Sequence, residues 1–514
     1  MRSTAAWLTS LLTPLAIACG GGDGADDADG VDDDPLPEPT THFADEPVAW
    51  TTPTSDYVSG YYLAGTTSFD TGSWNVLDLD GDGRPDLVRF TAAGQEGDER
   101  IVQFGHPSAP YWEVYLGGEG GFAAEPIEWT TPTSDYVSGY YVAGTTSFDT
   151  GSWGLLDLDG DRRPDLVRFT AAGQEGDERI VQFGHPSDAH WEVYLGGEGG
   201  FATEPIEWAT PTSDYVSGYY VAGNTSFDTG SWALLELTGD RRPDLVRFTA
   251  AGQEGDERIV QFGHPSDAHW EVYLGGEGGF ATEPVEWATP TSDYVSGYYV
   301  AGNTSFDTGS WGVHDVDGDR HPDLVRFTAA GQEGDERIVQ FGHPSAPHWE
   351  VFRGGADGFA AEAIDWATPT SDYVSGFYSA GTTSFDTGSW ALLDLDGDLR
   401  VDLIEFTAAG QEGDERIVQF GHPATPRWRV HRGVDGGFAD EPLAWTTPVS
   451  DYLSGFYLAG TTSFDTGSWG LLDLSGDGSP DLVRFTDAGQ EGDERIVQYG
   501  HPSASRWDVY VATP

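Results

Sequence analysis

One period governs this sequence. Trp50, Trp129, Trp208, Trp287, Trp366 and Trp445 follow one another at intervals of 79 residues. Between them the chain repeats one text almost letter for letter, from the Thr-Pro-x-Ser-Asp-Tyr that follows each of these Trp residues to the Gly-Phe that precedes the next. Self-similarity at a fixed period marks a supersecondary unit that cannot bury its apolar face alone, so the copies must stack on one another. A length of 514 residues would by itself suggest about three domains. The period replaces that expectation with a single array. Near-identical copies also indicate recent duplication, so sameness between repeats does not single out functional positions.

The local signals are those of strands. With 70 Gly and 30 Pro a mainly helical fold is excluded, because both residues penalise helix interiors. Aromatics make up 13% of the chain, too many for a chain that cannot build a core. In the first repeat, residues 74–79, 86–91 and 112–116 read as short strands. Gly117-Gly118-Glu119-Gly120-Gly121 reads as a hairpin turn, and 122–129 as a return strand, broken by Pro126 and therefore at an edge. Residues 100–104 read as a further short strand inside a long loop. Four strands per repeat, with Trp and Gly at regular spacing, predict the blades of an all-β, six-bladed β-propeller.

The chain ends extend this reading. The last repeat stops at Val509-Tyr510-Val511, before its return strand. The missing text, Phe-x-x-Glu-Pro-x-x-Trp, stands ahead of the first repeat as Phe43-Ala44-Asp45-Glu46-Pro47-Val48-Ala49-Trp50. The N-terminal segment 43–50 is thus expected to complete the last blade and close a ring, which removes the exposed strand edges of an open array. The blades are then 51–129, 130–208, 209–287, 288–366, 367–445, and 446–514 together with 42–50.

Each repeat carries one loop of the form D-x-D-G-D-G-x-x-D. In the first, Asp78, Asp80, Asp82 and Asp86 occupy positions 1, 3, 5 and 9. Carboxylates at that spacing, with a backbone carbonyl near position 7, can surround one hard cation, and the first half resembles an EF-hand loop without its helices or its twelfth-position Glu. The plain alternative is a set of Asx turns. The second loop has Asp157, Asp159, Asp161 and Asp165; the fourth has Asp315, Asp317, Asp319 and Asp323; the fifth has Asp394, Asp396, Asp398 and Asp402. In these three, Arg162, Arg320 and Leu399 replace the Gly at position 6. They are expected to bind more weakly if that turn needs positive φ. The sixth loop, Asp473, Ser475, Asp477 and Asp481, is one charge short. The third, Glu236, Thr238, Asp240 and Asp244, is expected to stay unfilled at ordinary Ca²⁺ levels.

Asp-Leu-Asp-Gly-Asp-Gly-Arg-Pro-Asp-Leu-Val followed by Trp-Glu-Val-Tyr-Leu-Gly-Gly-Glu-Gly-Gly-Phe resembles the FG-GAP/VCBS repeats, the blades of integrin α propellers and of many bacterial surface proteins. The resemblance covers everything after residue 41. It implies that the Asp loop joins the first two strands of a blade and binds Ca²⁺, one ion per intact loop.

If strands alternate in direction, the Asp loop and the Gly-rich turn share one face. The long segments 51–73 and 91–111 then share the other. They hold Asp56, Tyr57, Tyr61, Tyr62, Phe69, Asp70, Gln95, Glu96, Asp98, Glu99, Arg100 and His106, with counterparts in each repeat. Long loops on one face of a rigid scaffold commonly carry binding, and aromatic faces beside carboxylates suit sugar rings or a protein surface. The alternative is that these side chains only widen the blades. His106, His185, His264, His343, His422 and His501 each stand in a Gly-His-Pro sequence and read as turn residues rather than metal ligands.

The balance of 86 acidic against 24 basic residues, a net charge of −62, excludes nucleic acid as a partner. The first repeat alone has 13 acidic residues and three Arg, so the charge is a property of the repeat. At the start, Arg2 precedes an apolar run over 5–17, a pattern expected of a secretory signal over 1–18. Leu15-Ala16-Ile17-Ala18-Cys19 resembles a bacterial lipobox, with Ala16 where Leu is usual. That implies lipidation at Cys19; an ordinary signal with an incidental Cys is the alternative. Residues 19–41, rich in Gly, Asp and Pro, read as a disordered tether. The expected location is the cell envelope, at the outer membrane or cell surface.

Six near-equal copies offer no single asymmetric constellation of catalytic groups, and no G-x-S-x-G or H-E-x-x-H motif occurs. The expectation is a non-catalytic, Ca²⁺-binding propeller that recognises an extracellular glycan or protein. The alternatives are a structural surface module without a specific ligand and, last, an extracellular hydrolase.

Overall fold

In each repeat four short strands form one antiparallel meander. The computed structural model describes residues 42–513 except four stretches of every repeat, which in the first are 54–58, 63–72, 92–100 and 104–109. In the first blade the strands are Ser73–Leu77, Asp86–Thr91, Tyr111–Tyr115 and Ile127–Thr130, adjacent in that order. The fourth strand is the blade's edge: Trp129 is buried while Glu128 and Thr130 are exposed. Its register sets Trp129 opposite Trp112. Six such sheets make a six-bladed all-β propeller, with no helix among the described residues.

The expected return strand over 122–129 is two elements. Pro126 has no N–H for a ladder, and the chain breaks there. Gly117–Gly118 and Gly121–Phe122 form a separate two-rung hairpin. Its second arm does not extend its own blade. Gly121 pairs in parallel with Thr51, on the edge strand Val48–Thr51 of the preceding blade. The hairpins of the third and fifth repeats join their preceding blades in the same way, Gly279 to Ala209 and Gly437 to Ala367.

This hairpin carries the packing between blades. Phe122 stands edge-on to the two cross-strand Trp residues of the last blade, 5.1 Å from Trp507 and 6.1 Å from Trp50. Phe201 does the same to Trp112 and Trp129, at 5.2 and 6.2 Å. Each edge contact adds about 0.5–1.5 kcal/mol beyond the area it buries. The core is accordingly six layers between blades rather than one centre. One layer joins Leu79, Val88 and Trp129 of the first blade to Trp153, Leu155 and Phe201 of the second.

The ring closes as expected, but through two strands. Val48–Thr51 becomes the fourth strand of the last blade, with Trp50 opposite Trp507. His42–Phe43 pairs with the C-terminal Ala512–Thr513, so the two chain ends jointly build the sixth hairpin. Phe43 takes the place of its missing Phe, 5.1 Å from Trp428 and 5.7 Å from Trp445.

The expected strand over 100–104 is present as Ile101–Gln103. Its partner, Ser138–Tyr141, lies in what the sequence suggested was all long loop, and it belongs to the next repeat. The same ribbon joins Ile496–Gln498 to Ser59–Tyr62 across the closure. Six two-stranded ribbons thus link successive repeats around the ring.

Candidate metal centres

Two carboxylates organise each Asp loop through backbone bonds. Asp78 Oδ1 accepts the N–H of Gly81 (2.9 Å) and Oδ2 accepts that of Gly83 (3.0 Å). Asp86, 1% exposed, accepts the N–H of Leu79 on Oδ2 (3.0 Å) and of Gly117 on Oδ1 (2.8 Å). The last bond docks the hairpin on the Asp loop. A side chain at 117 has no room, since a Cβ there would lie 2.5 Å from the carbonyl oxygen of Pro85. Asp165 repeats the arrangement with Leu158 and Gly196, Asp244 with Leu237 and Gly275, Asp323 with Val316 and Gly354, Asp402 with Leu395 and Gly433, and Asp481 with Leu474 and Ala512.

Position 6 lies in the left-handed region in every loop. Gly83 has φ +88° and Gly478 +93°; Arg162, Arg241, Arg320 and Leu399 take φ between +73° and +76° at the same place. These four are the only non-glycine residues with positive φ among the described residues.

In the first loop Asp78, Asp80 and Asp86 bring carboxylate oxygens within 4.8 Å of one another. Asp157, Asp159 and Asp165 do so in the second, Asp315, Asp317 and Asp323 in the fourth, and Asp394, Asp396 and Asp402 in the fifth. The position-5 carboxylates are not in these groups. Asp82, Asp161, Asp319 and Asp398 each use Oδ1 to accept the N–H two residues on. In the third loop Glu236 reaches the N–H of Gly239, and Thr238 Oγ1 is buried without a hydrogen-bond partner. In the sixth, Ser475 Oγ donates to Asp473 Oδ1 (3.4 Å), and Asp477 accepts the N–H of Ser479.

Gathering these acids is electrostatically unfavourable. Burial raises the carboxyls of Asp86, Asp165, Asp323, Asp402 and Asp481 from 3.8 to about 7, against the backbone N–H groups that favour the charged form. Asp244 rises to about 6 for the same reason. Asp78, Asp157, Asp315 and Asp394 are also raised, by burial first and by the neighbouring carboxylates to a lesser degree. A divalent cation would favour the ionised forms. Asp396 Oδ1, in the fifth triad, is buried without a hydrogen-bond partner. An all-oxygen donor set with an unsatisfied buried carboxylate oxygen fits a hard cation.

Sequence reasoning missed how the loops are braced and how they differ. Arg163 Nε donates to the carbonyl of Asp80 in the preceding loop (2.9 Å), Arg242 Nε to that of Asp159 (3.0 Å), and Arg84 Nε to that of Ser475 (3.3 Å). The sixth, first, second and third loops are therefore linked in series. In the fourth and fifth blades a second Arg enters. Arg353 Nε lies 3.3 Å from Asp317 Oδ2, and Arg432 Nε 3.0 Å from Asp396 Oδ2. The available signal was a departure from the repeat, since the first three copies have Leu116, Leu195 and Leu274 there.

Of the residues expected on the opposite face, Asp56, Tyr57, Phe69, Asp70, Gln95, Glu96, Asp98, Glu99 and Arg100 lie outside the described residues, as do all six Gly-His-Pro histidines. Tyr61 and Tyr62 are placed by their backbone in Ser59–Tyr62. Cys19 and the whole segment 1–41 also lie outside.

Comparison with protein-family models and with curated proteins gives no match. Among solved structures, an Agrocybe aegerita lectin that recognises non-reducing terminal N-acetylglucosamine is similar at 14% identity and a TM-score of 0.35, over 91% of this chain and 92% of the lectin. The Photorhabdus luminescens Tc holotoxin pore is similar at 14% identity and a TM-score of 0.39, over 92% of this chain but only 16% of that one. The V. cholerae biofilm matrix protein Bap1 is similar at 11% identity and a TM-score of 0.24, over 88% of this chain and 94% of that one.

Proposed function

We propose that this protein is a non-catalytic, Ca²⁺-stabilised propeller that recognises an extracellular glycan or protein, exported and held at the cell envelope by a lipid on Cys19. The observation that carries the metal reading is the recurrence of one carboxylate triad, with oxygens within 4.8 Å, at the same place in four blades. Ca²⁺ takes oxygen ligands at flexible geometry and suits Asp-rich loops whose other contacts are backbone N–H groups. A cation bound there would be shared by the two strands of a blade, next to the hairpin that grips the preceding blade, and would help to hold the ring together.

The recognition reading follows from multiplicity. The sequence carries the same long segments six times, and weak contacts to repeated sugars or to a repetitive surface would add as avidity. Six equivalent copies do not assemble the single asymmetric set of acid, base and nucleophile that catalysis needs.

Ligand linkage supplies the first test: the melting temperature must be higher in millimolar Ca²⁺ than in chelator. An unchanged melt rejects the metal reading. A glycan array probed with the chain in Ca²⁺ tests recognition. A blank array, together with no retention on whole cells or matrix, leaves a structural surface module.

A further inference from the structure

We propose that Arg353 and Arg432 are built-in cations that weaken metal binding in the fourth and fifth loops, so that the four equivalent triads divide into two tight and two weak sites. This rests on the reading that the triads hold Ca²⁺. The residue in question directly precedes the glycine whose N–H docks on the buried ninth-position carboxylate: Gly354 to Asp323 at 2.8 Å, Gly433 to Asp402 at 2.9 Å. Its side chain therefore leaves the backbone beside the triad. In the first two blades that side chain is Leu116 or Leu195, and the guanidiniums near those triads, Arg163 and Arg242, bind the backbone carbonyls of Asp80 and Asp159 instead of their carboxylates. In the fourth and fifth that side chain brings a guanidinium against the third-position carboxylate.

The contact with Asp396 is one of charge. Arg432 Nε lies 3.0 Å from Asp396 Oδ2 but lacks the alignment of a hydrogen bond, and Asp396 Oδ1 has no hydrogen-bond partner. Asp396 is 10% exposed, so its charge is poorly served by water and the guanidinium is its main compensation. The triad in this blade retains its geometry, with a positive charge already in place. An arginine cannot deprotonate to make way for a divalent ion. It must either stay, repelling the ion at close range, or leave its carboxylate for solvent. Arg353 is half-exposed and free to take the second course, which makes these sites weaker rather than dead.

Position 6 does not set the order of the sites. Position 6 is strained in the second, fourth and fifth loops alike, so it cannot separate them. The tethered cation can. The expected order of affinity puts the first and second loops ahead of the fourth and fifth by about tenfold or more, the scale of a single close charge in partly buried surroundings.

Calorimetric titration of the full chain with Ca²⁺ tests this. The native protein should show two tight sites and two at least about tenfold weaker. R353L/R432L, which installs the residue of the first three blades, should merge the four into one tight class. D80A/D159A should abolish the tight class and keep the weak one. Four equal sites in the native protein, or an R353L/R432L titration identical to native, overturns the inference and leaves the calcium reading standing. No binding in any variant overturns both.

Discussion

Glu405 and Arg429 form, with charges exchanged, the cross-strand pair that Arg89 and Glu113 form in the first blade. Arg429 Nη1 donates to Glu405 Oε2 at 2.9 Å, and Arg89 Nη1 to Glu113 Oε2 at 2.8 Å, in equivalent registers of the second and third strands. The exchange buries the acid. Glu405 is 5% exposed, whereas Glu113 is 34% exposed. It also sets a carboxylate opposite Trp390, where the first blade sets Arg89 opposite Trp74. Arg89 lies over Trp74 at 5.4 Å while Tyr115 stacks on the same ring at 5.9 Å; in the fifth blade His431 takes the place of Tyr115 and stacks on Trp390 at 6.2 Å.

The pair should behave as a unit. E405R sets two arginines against each other in a buried register and should lower the melting temperature, with a loss on the order of 3 kcal/mol. E405R/R429E recreates the pair of the other blades and should recover most of it. Equal losses in the single and double variants, measured by calorimetry, would exclude coupling between the two residues.

Burial also gives Glu405 a pH signature. Its carboxyl is pushed from 4.5 up to about 7, by burial first and against the pull of Arg429. A folded value above the unfolded one means that Glu405 contributes stability fully present below about 4.5 and lost as pH rises through about 7. The difference in melting temperature between the native chain and E405Q should therefore shift between pH 5 and pH 8, by the equivalent of roughly 2 kcal/mol. A pH-independent difference would refute the assignment.

Within the first triad, Asp86 also carries backbone bonds that hold the hairpin. D86A strands the N–H groups of Leu79 and Gly117 and should destabilise the protein by about 2 kcal/mol or more even in chelator. D80A should leave the chelator melt nearly unchanged and reduce the rise that Ca²⁺ produces. A D80A variant with the full Ca²⁺ response removes Asp80 from the ligand set.

Leu399 is an exposed side chain at φ +75°. The left-handed conformation costs a non-glycine residue about 1–2 kcal/mol, and Gly loses about 0.5–1 kcal/mol in chain entropy. L399G should therefore be neutral to slightly stabilising in thermal melts. A marked loss would show that Leu399 makes a contact that offsets its strain.

Closure through two strands makes the N-terminal segment essential. Removing residues 42–51 deletes the edge strand of the last blade and uncovers Trp507 and Trp428. The shortened chain should aggregate or melt far below the native one, because it exposes an unpaired strand edge. A synthetic 42–51 peptide added in trans should restore part of the melt. A soluble truncation with native stability would contradict the closure.

The blade count, the Asp loops and the closing segment were legible in the sequence because each is written as a period: Trp at every 79th residue, carboxylates at positions 1, 3, 5 and 9, and a missing phrase at one end that stands at the other. The positive-φ turn was legible too, through the glycines at position 6. What a period cannot state is which copy touches which. The hairpin holding Phe122 reads as the end of its own blade but pairs with the preceding one, and Ile101–Gln103 finds its partner in the following repeat. Near-identical copies offer near-identical partners, so only the closed ring assigns them. The same holds within the site. The sequence by itself determined the donor types and their spacing, because ligand chemistry is local. The tertiary structure alone decided that Asp80 and Asp86 converge while Asp82 turns to its own backbone. It alone decided that Arg353 and Arg432 come against two of the triads, because electrostatics depends on distance through space rather than along the chain.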